Sequence, residues 1–202
     1  MNEAQLQQLI TTYHVPLHIQ KHMQKVTEVA VFIGEKINHR HSGKVDLELL
    51  RQSALLHDVL KLCDFKTLDI EHFQQSITAE DIQFWTALMK SCSHIGHCEA
   101  AYNMLKDLGE DKLAIIIRKH STESIITVEG ELKTWEEKIL YYADKRVKHD
   151  KVVSLKERLA DLRKRYNREK NPHPEEPLIE KAIYKLEKEL CREAGIKQEE
   201  IR

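Results

Sequence analysis

Apolar residues recur at intervals of three or four along most of the chain, which is the spacing of one face of an α-helix. The clearest stripe is Val26, Val29, Ala30, Ile33 and Ile37. Similar stripes run through residues 47–54, 84–89, 101–108, 113–117, 132–147, 152–166 and 178–190. The pattern predicts an all-α helical bundle, with a short N-terminal helix before the first long one.

Helix boundaries can be assigned at several points. One helix is predicted to begin near Thr78, with acidic residues in its first turn, and Gly109 is placed to end another. The stretch 124–132 is predicted to be a loop or a short extended piece. The sequence NPHPEEP (171–177) separates the last two predicted helices. We expect a helical domain over residues 1–150. A charged amphipathic helical extension over 151–202 would either pack back on this domain or form a homodimer or partner surface.

The composition excludes several classes of protein. The 202 residues include 32 Lys+Arg against 33 Asp+Glu, for a net charge of −1, so a globally basic nucleic-acid binder is not expected. Only 6 Gly and 4 Pro disfavour a turn-rich all-β fold. We expect no membrane span and no signal peptide, because no long apolar run is present. The four cysteines form no CxxC pair, so we expect reduced thiols in a cytoplasmic protein.

Histidines and aspartates interrupt the apolar stripes at helical spacing, so helix geometry turns them toward the interior. These residues are His22, His57, Asp58, His97, His120 and Asp144. A single buried histidine usually satisfies itself with a backbone hydrogen bond, and an all-α interaction protein with such core histidines is one alternative. Several together, including two carboxylates, are costly to bury unless a cation lies among them. Imidazole and carboxylate ligands suit Fe, Mn, Co, Ni or Zn, as one or two ions.

A second metal reading comes from the segment SCSHIGHC (91–98), which groups Cys92, His94, His97 and Cys98. Two Cys and two His close together are typical of a structural zinc site, although the spacing is not that of a usual zinc finger. In that case His97 would belong to the zinc site and not to the inner cluster. His94 is also a rival to His97 for the inner position.

The residues resemble those of the HD-domain superfamily of metal-dependent phosphohydrolases. The matching segments, in the order of that superfamily, are HMQKV (22–26), LLHDVLK (55–61), GHCEAAYNMLKDLG (96–109), IIRKH (116–120) and LYYADK (140–145). The similarity covers about residues 16–150. The resemblance implies an all-helical HD-domain bundle and the properties of a small stand-alone member of the superfamily.

The resemblance also implies roles for individual residues. The primary metal ligands would be His22, His57, Asp58 and Asp144. A second metal position or the phosphate site would be lined by His97 and His120, and the candidate catalytic set is Asp58, His97, His120, Lys61 and Lys145. Asp58 has two carboxylate oxygens and is suited to bridge two ions. Cations flank the motifs and are candidates to contact phosphate: Lys61 and Lys145 first, then Arg118, Lys119 and Arg146.

The implied activity is cleavage of a phosphoester or phosphoanhydride bond in a nucleotide-like small molecule by metal-activated water. Leu60 stands where the superfamily often has Gly, and the long signature of cyclic-dinucleotide phosphodiesterases is missing, so the substrate stays open. The alternative is a regulatory module that binds metal and nucleotide without turnover. The expected partner is a small phosphorylated substrate, with no nucleic acid and no membrane.

Overall fold

The computed structural model describes residues 1–73, 75–168 and 170–201. Within these residues nearly all of the regular secondary structure is helical, as the apolar stripes predict. The α-helices are α1 (Glu3–Thr12), α2 (Leu17–Arg40), α3 (Leu47–Leu56), α4 (Ala79–Cys92), α5 (Gly96–Asp107), α6 (Asp111–Arg118), α7 (Trp135–Arg146), α8 (Leu155–Arg165) and α9 (Glu176–Ala194). Short 3₁₀ helices cover Lys61–Asp64, Ile70–His72, Thr122–Ile126 and Gln198–Glu200. Two short strands, β1 (Val147–Lys148) and β2 (Lys151–Val152), form an antiparallel hairpin.

Side-chain caps set the start of several helices. Thr78 accepts a hydrogen bond from the backbone of Asp81, whose carboxylate accepts one in return from the backbone of Thr78, so α4 begins with a capping box. Thr134 and Glu137 start α7 in the same way. Gly109 has a φ of +75°, which fits the predicted end of α5.

The long helix α2 lies at the centre of the main hydrophobic cluster. Its face of Val26, Ala30, Ile33 and Ile37 is fully or almost fully buried. It packs against α3, α7 and α9. A second cluster joins α1, α5 and α6 to the turn that follows α3. The candidate site lies where the ends of these helices meet, so the core fixes its position.

The C-terminal helices share the main core. Leu155 and Leu159 of α8 and Ile183 and Leu190 of α9 lie in the same buried cluster as α2 and α7. A functional division at residue 150, and the homodimer through these helices, therefore stay predictions. The packing shows that the extension contributes to the hydrophobic core of the bundle.

Three local features differ wholly or in part from the sequence prediction. Val147 and Val152 lie in the hairpin strands and not at helix ends, because the chain reverses between them at His149, which has a φ of +56°. The helix of the stripe 47–54 ends at Leu56, so His57 caps its C-terminus, and the 3₁₀ helix Lys61–Asp64 follows. The loop predicted over 124–132 begins within the 3₁₀ helix Thr122–Ile126.

The expectation of four reduced cysteines was also wrong. Cys63 and Cys92 are joined by a disulfide, with 5.3 Å between their Cα atoms. The core brings the turn after α3 against the end of α4, and sequence spacing alone does not show this proximity. Cys98 and Cys191 are free thiols. Among the described residues, none of the helices has the length and apolar character needed to cross a bilayer.

Candidate metal centre

Six predicted ligands converge at one end of the bundle. His57 and Asp58 follow the last residue of α3, His97 lies in the first turn of α5, and His120 comes just after α6. His22 lies in the body of α2, and Asp144 lies in the last turn of α7. Five of the six are buried with relative exposures of 0–9%: His57, Asp58, His97, His120 and Asp144. The His22 side chain is 12% exposed. The structure thus brings together all the residues predicted as metal ligands.

Each of the four histidines has its Nδ1 atom hydrogen-bonded to an oxygen. The acceptors are the carbonyl of His149 for His22 (2.8 Å), the carbonyl of Ala54 for His57 (2.8 Å), the carbonyl of Ile117 for His120 (2.5 Å), and the carboxylate of Asp64 for His97 (2.5 Å). A neutral imidazole that donates from Nδ1 carries a lone pair on Nε2. All four rings therefore present Nε2 to the centre of the cluster. An anchored second nitrogen is characteristic of histidines that bind metals.

The first set of ligands consists of His22, His57, Asp58 and Asp144, whose nitrogen and oxygen atoms surround one space. The Nε2 atom of His22 is 3.1 Å from Oδ1 of Asp144 and 3.8 Å from Oδ2 of Asp58. The Nε2 atom of His57 is 3.9 Å and 3.7 Å from the same two oxygens. His57 Nε2 is buried and has no hydrogen-bond partner among the described residues. Two imidazole lone pairs and two carboxylate oxygens face each other here, and a divalent cation would satisfy all four.

The second set of ligands consists of His97, His120 and the other carboxylate oxygen of Asp58. This Oδ1 atom is 3.1 Å from Nε2 of His97 and 3.5 Å from Nε2 of His120. These two nitrogens are 3.0 Å apart. The two oxygens of Asp58 thus face different groups of ligands, an arrangement that suits a carboxylate bridging two ions. The Cys98 thiol, which our sequence reasoning did not assign to this cluster, lies beside the second set.

Lysines accompany both carboxylates. Lys145 Nζ donates to Oδ2 of Asp144 at 2.7 Å, and Lys61 Nζ lies 3.4 Å from Oδ1 of Asp58. Because these ammonium groups balance the carboxylates, charge balance alone does not require a metal ion. The case for a cation is carried by the converging lone pairs of the imidazole rings, which no lysine among the described residues satisfies at His57.

The electrostatics differ between the two sets. Burial lowers the pKa of His57 to about 3, so this ring is neutral and ready to bind a cation. Burial acts on His120 in the same direction, but Cys98 and Asp58 outweigh it and raise the pKa of His120 to about 9. Burial opposes ionisation of Cys98, yet His120 and His97 lower the pKa of the thiol to about 6. A cation in the second set would displace the proton of the imidazolium.

The carboxylates stay ionised. Burial disfavours the charged form of Asp58, but the ammonium group of Lys61 holds its pKa well below the usual range. Lys145 does the same for the pKa of Asp144 against a similar effect of burial. Both groups are therefore available as anionic ligands at any pH near neutrality.

The other flanking cations point away from the cluster. Arg118 pairs with Glu99 on the surface, and Lys119 donates to Glu137. Arg146 donates to Val153 and to the hydroxyl of Tyr142; its contacts hold α7 to the C-terminal part of the fold. Of the five flanking cations, only Lys61 and Lys145 border the cluster.

The zinc site proposed for the segment 91–98 does not form. Cys92 is held in the disulfide with Cys63, and His94 is exposed. His97 is buried and turns inward, so it and not its rival His94 takes the inner position. Since Cys98 also faces the cluster, this segment is divided between the disulfide and the inner site.

Two positioning residues could not be identified from the sequence. Asp64 holds Nδ1 of His97 and accepts from its backbone N–H at 2.9 Å. His149 contributes only its carbonyl oxygen, which the hairpin turn directs at His22. Asp64 ends the 3₁₀ helix that follows α3, and a carboxylate so close in sequence to the His57–Asp58 pair was the one available signal.

A pocket of about 1440 Å³ opens over the cluster. Beyond the metal-site residues, it is bordered by the hairpin and by α8. Its lining includes the cations Lys21, Lys148, Lys151, Arg158 and Arg165. Arg158 is only 8% exposed, and its Nε atom has no hydrogen-bond partner among the described residues. The extension therefore supplies one wall of the pocket.

Comparison with known proteins identifies a family for most of the chain. A family model described as HD domain matches residues 19–148, a range that contains all six clustered histidines and aspartates. No curated protein and no solved structure shows a significant match.

Proposed function

The chain belongs to the HD-domain family, and from this we propose that it is a metal-dependent phosphohydrolase of a nucleotide-like small molecule. The bond cleaved would be a phosphoester or a phosphoanhydride. The family implies the metal-dependent phosphohydrolase superfamily, and a cluster of His and Asp that can hold a metal is present. The observation that carries the proposal is the anchoring of all four imidazole rings through Nδ1, because it leaves four Nε2 atoms directed at one place.

The residues fit a divalent cation. His57 Nε2 and Asp58 Oδ1 are buried without hydrogen-bond partners among the described residues, and such orphaned atoms are rare unless something binds them. We assign His22, His57, Asp58 and Asp144 to the first position. When bound, a cation supplies Lewis-acid polarisation of a phosphoryl oxygen and lowers the pKa of a water molecule from 15.7 to roughly 7.

The chain's own groups would orient the phosphate. Lys145 is buried beside Asp144 and is fixed by its bond to that carboxylate, so its ammonium group is held ready for an anion that enters. Lys61 has a 29% exposed side chain and lies at the mouth of the second set. Both can donate to phosphoryl oxygens and stabilise charge that develops in the transition state. His97 and His120, on the far side of Asp58, complete the proposed catalytic set.

The pocket supports a substrate larger than a simple phosphomonoester. Ligand pockets are commonly about 300–1,000 Å³, and the pocket here is larger, at about 1440 Å³. Among the described residues the lining carries nine Lys and Arg beside ten Asp and Glu, so a polyanion would bind through particular cations and not through a positive net charge. Arg158 of α8 adds a buried guanidinium with an unused donor, and guanidinium groups bind phosphate in a bidentate manner. A nucleotide or a dinucleoside polyphosphate has both the size and the charge for this space.

The test is a screen of nucleotides, dinucleoside polyphosphates and phosphomonoesters with metal-loaded protein. We expect hydrolysis, loss of hydrolysis and of bound metal in Asp58→Ala, and neither loss in His94→Ala, which changes an exposed histidine. Circular dichroism would confirm that both variants fold. Tight nucleotide binding with no product across the screen would contradict hydrolysis and indicate the regulatory module instead.

A further inference from the structure

A thiol that the proposed function does not use lies beside the second set of ligands. Cys98 follows His97 in the first turn of α5 and is partly buried. Its Sγ atom is 3.4 Å from Nε2 of His97 and 3.8 Å from both ring nitrogens of His120. Among the described residues, these three side chains form a group whose ligand atoms all lie within 4.8 Å of one another.

A second observation points to a ligand in the same place. Oδ1 of Asp58 is buried and has no hydrogen-bond partner among the described residues, and the residue is 5% exposed. This oxygen faces Nε2 of His97 at 3.1 Å and Nε2 of His120 at 3.5 Å, so three potential ligand atoms converge beside the sulfur. Protons hold these groups together in the metal-free protein, and a divalent cation that displaces them would take all the lone pairs at once.

The five distances that involve Nε2 of His97 or Nε2 of His120 are close to the edges of a zinc tetrahedron. With zinc–nitrogen bonds of about 2.05 Å and zinc–sulfur bonds of about 2.3 Å, tetrahedral ligands lie about 3.4 Å apart for two nitrogens or for nitrogen and oxygen, and about 3.6 Å apart for nitrogen and sulfur. Here the nitrogen–nitrogen edge is 3.0 Å, the nitrogen–oxygen edges are 3.1 and 3.5 Å, and the nitrogen–sulfur edges are 3.4 and 3.8 Å. Each of these edges is thus within about 0.4 Å of the ideal.

We propose that His97, Cys98, His120 and Asp58 form a tetrahedral site for a thiophilic divalent cation such as zinc. The resemblance to HD domains implies that His97 and His120 line a second metal position. What we add is that the sulfur of Cys98 is also a ligand. The inference rests on the metal centre of the proposed function, because Asp58 bridges the two sets. Hard ions such as Mg²⁺ and Mn²⁺ favour oxygen, whereas zinc accepts thiolate, so the two positions select different ions.

Lys61 is the competing cation at this position. Its Nζ atom is 3.4 Å from both His97 Nε2 and Asp58 Oδ1, longer than the 2.7–3.2 Å of a good hydrogen bond. One ammonium on a 29% exposed side chain cannot satisfy two imidazoles, a thiolate and a carboxylate together. A zinc ion can bind all four, and the lysine then turns into the pocket.

Cobalt tests the sulfur ligand directly. Metal-free full-length protein, kept with its disulfide oxidised, is titrated with Co²⁺, a spectroscopic stand-in for zinc. We expect a near-ultraviolet sulfur-to-cobalt charge-transfer band that is lost in Cys98→Ser and retained in Cys191→Ser, the matched free-thiol control in α9. A band that persists in Cys98→Ser, or cobalt binding to the wild-type protein without any band, would overturn the proposal. The second of these results leaves the first metal position and the proposed function intact, whereas a failure to bind any metal contradicts both.

Protection from alkylation gives a readout that does not depend on activity. At a zinc concentration of 100 times the Kd, mass action leaves about 1% of the thiol free, so alkylation of Cys98 by iodoacetamide should slow about 100-fold. Peptide mass mapping separates Cys98 from Cys191, whose rate should not change. Manganese at the same concentration should protect little. Equal protection by both metals, or by neither, would show that the thiol is not a ligand.

Discussion

Replacing His57 with alanine should abolish stabilisation by manganese and leave the metal-free fold largely intact. The His57 ring is fully buried, its Nδ1 donates to Ala54 at 2.8 Å, and its Nε2 has no hydrogen-bond partner among the described residues. The substitution removes one hydrogen bond, about 1 kcal/mol, and some packing. It also removes an unpaired buried nitrogen that costs about 1–3 kcal/mol. We therefore expect metal-free His57→Ala to be less stable by no more than about 2 kcal/mol.

The effect of metal on the wild-type protein should be larger. A ligand at 100 times its Kd stabilises the folded state by about 2.7 kcal/mol. For a chain of this length, 1 kcal/mol shifts Tm by about 2–4 °C, so the expected rise is about 5–11 °C. Manganese is used because it has little preference for sulfur and so reports on the first set of ligands.

The assay is thermal unfolding of chelator-treated protein with and without Mn²⁺. His94→Ala is the matched control, since His94 is exposed and should leave the metal-dependent rise in Tm unchanged. The reasoning is refuted if His57→Ala shows the same rise as the wild-type protein, because His57 Nε2 would then not be a ligand.

Buried charges and the disulfide give three more expected outcomes. Arg146→Met leaves the buried carboxylate of Glu187 without its cation, so the free energy of unfolding in chemical denaturation should fall by about 3–5 kcal/mol. A change below about 1 kcal/mol would contradict a stabilising ion pair between Arg146 and Glu187. Lys145→Gln removes a charged hydrogen-bond donor worth about 1.5–3 kcal/mol, so kcat/KM should fall about 10–150-fold while the metal content stays unchanged. Loss of bound metal in this variant would show that Lys145 has a structural role instead. Cys63→Ser opens the disulfide with Cys92, which spans 29 residues, and should destabilise the protein by about 3–4 kcal/mol relative to its oxidised form; equal unfolding midpoints would show that the bond does not form in solution.

The helices could be predicted because their signals are local. The stripe along α2 and the polar residues that start α4 depend only on spacing within one turn of helix, so Val26–Ile37 and Thr78 were placed correctly. The order of the histidines and aspartates was equally informative, since each lies on or beside an apolar stripe. Five helices then had to meet to bring them together, and the resemblance to HD domains supplied that step.

The remaining features depend on contacts between distant residues. Val147 and Val152 pair across a two-residue strand, which is too short to show an alternating pattern, and the carbonyl of His149 contributes no side-chain signal. The disulfide joins residues 29 positions apart, and the role of Cys98 depends on α5 packing beside the end of α6. Spacing along one element cannot reveal such neighbours.

The balance of charge is a weaker argument for a metal ion than the sequence suggests. Lys61 and Lys145 were predicted as phosphate contacts, and the structure places both beside carboxylates. The lone pairs of the anchored imidazole rings provide the stronger reason for a cation. They became visible only when the acceptors of Nδ1 were known.

Anomalous diffraction from crystals grown with Mn²⁺ tests the metal centre most directly. We predict an anomalous peak within coordination distance of Nε2 of His22 and of His57, in contact with oxygens of Asp58 and Asp144. If Mn²⁺ gives no peak there and the four side chains keep their positions, the cluster is not a metal site and the proposed hydrolase is wrong.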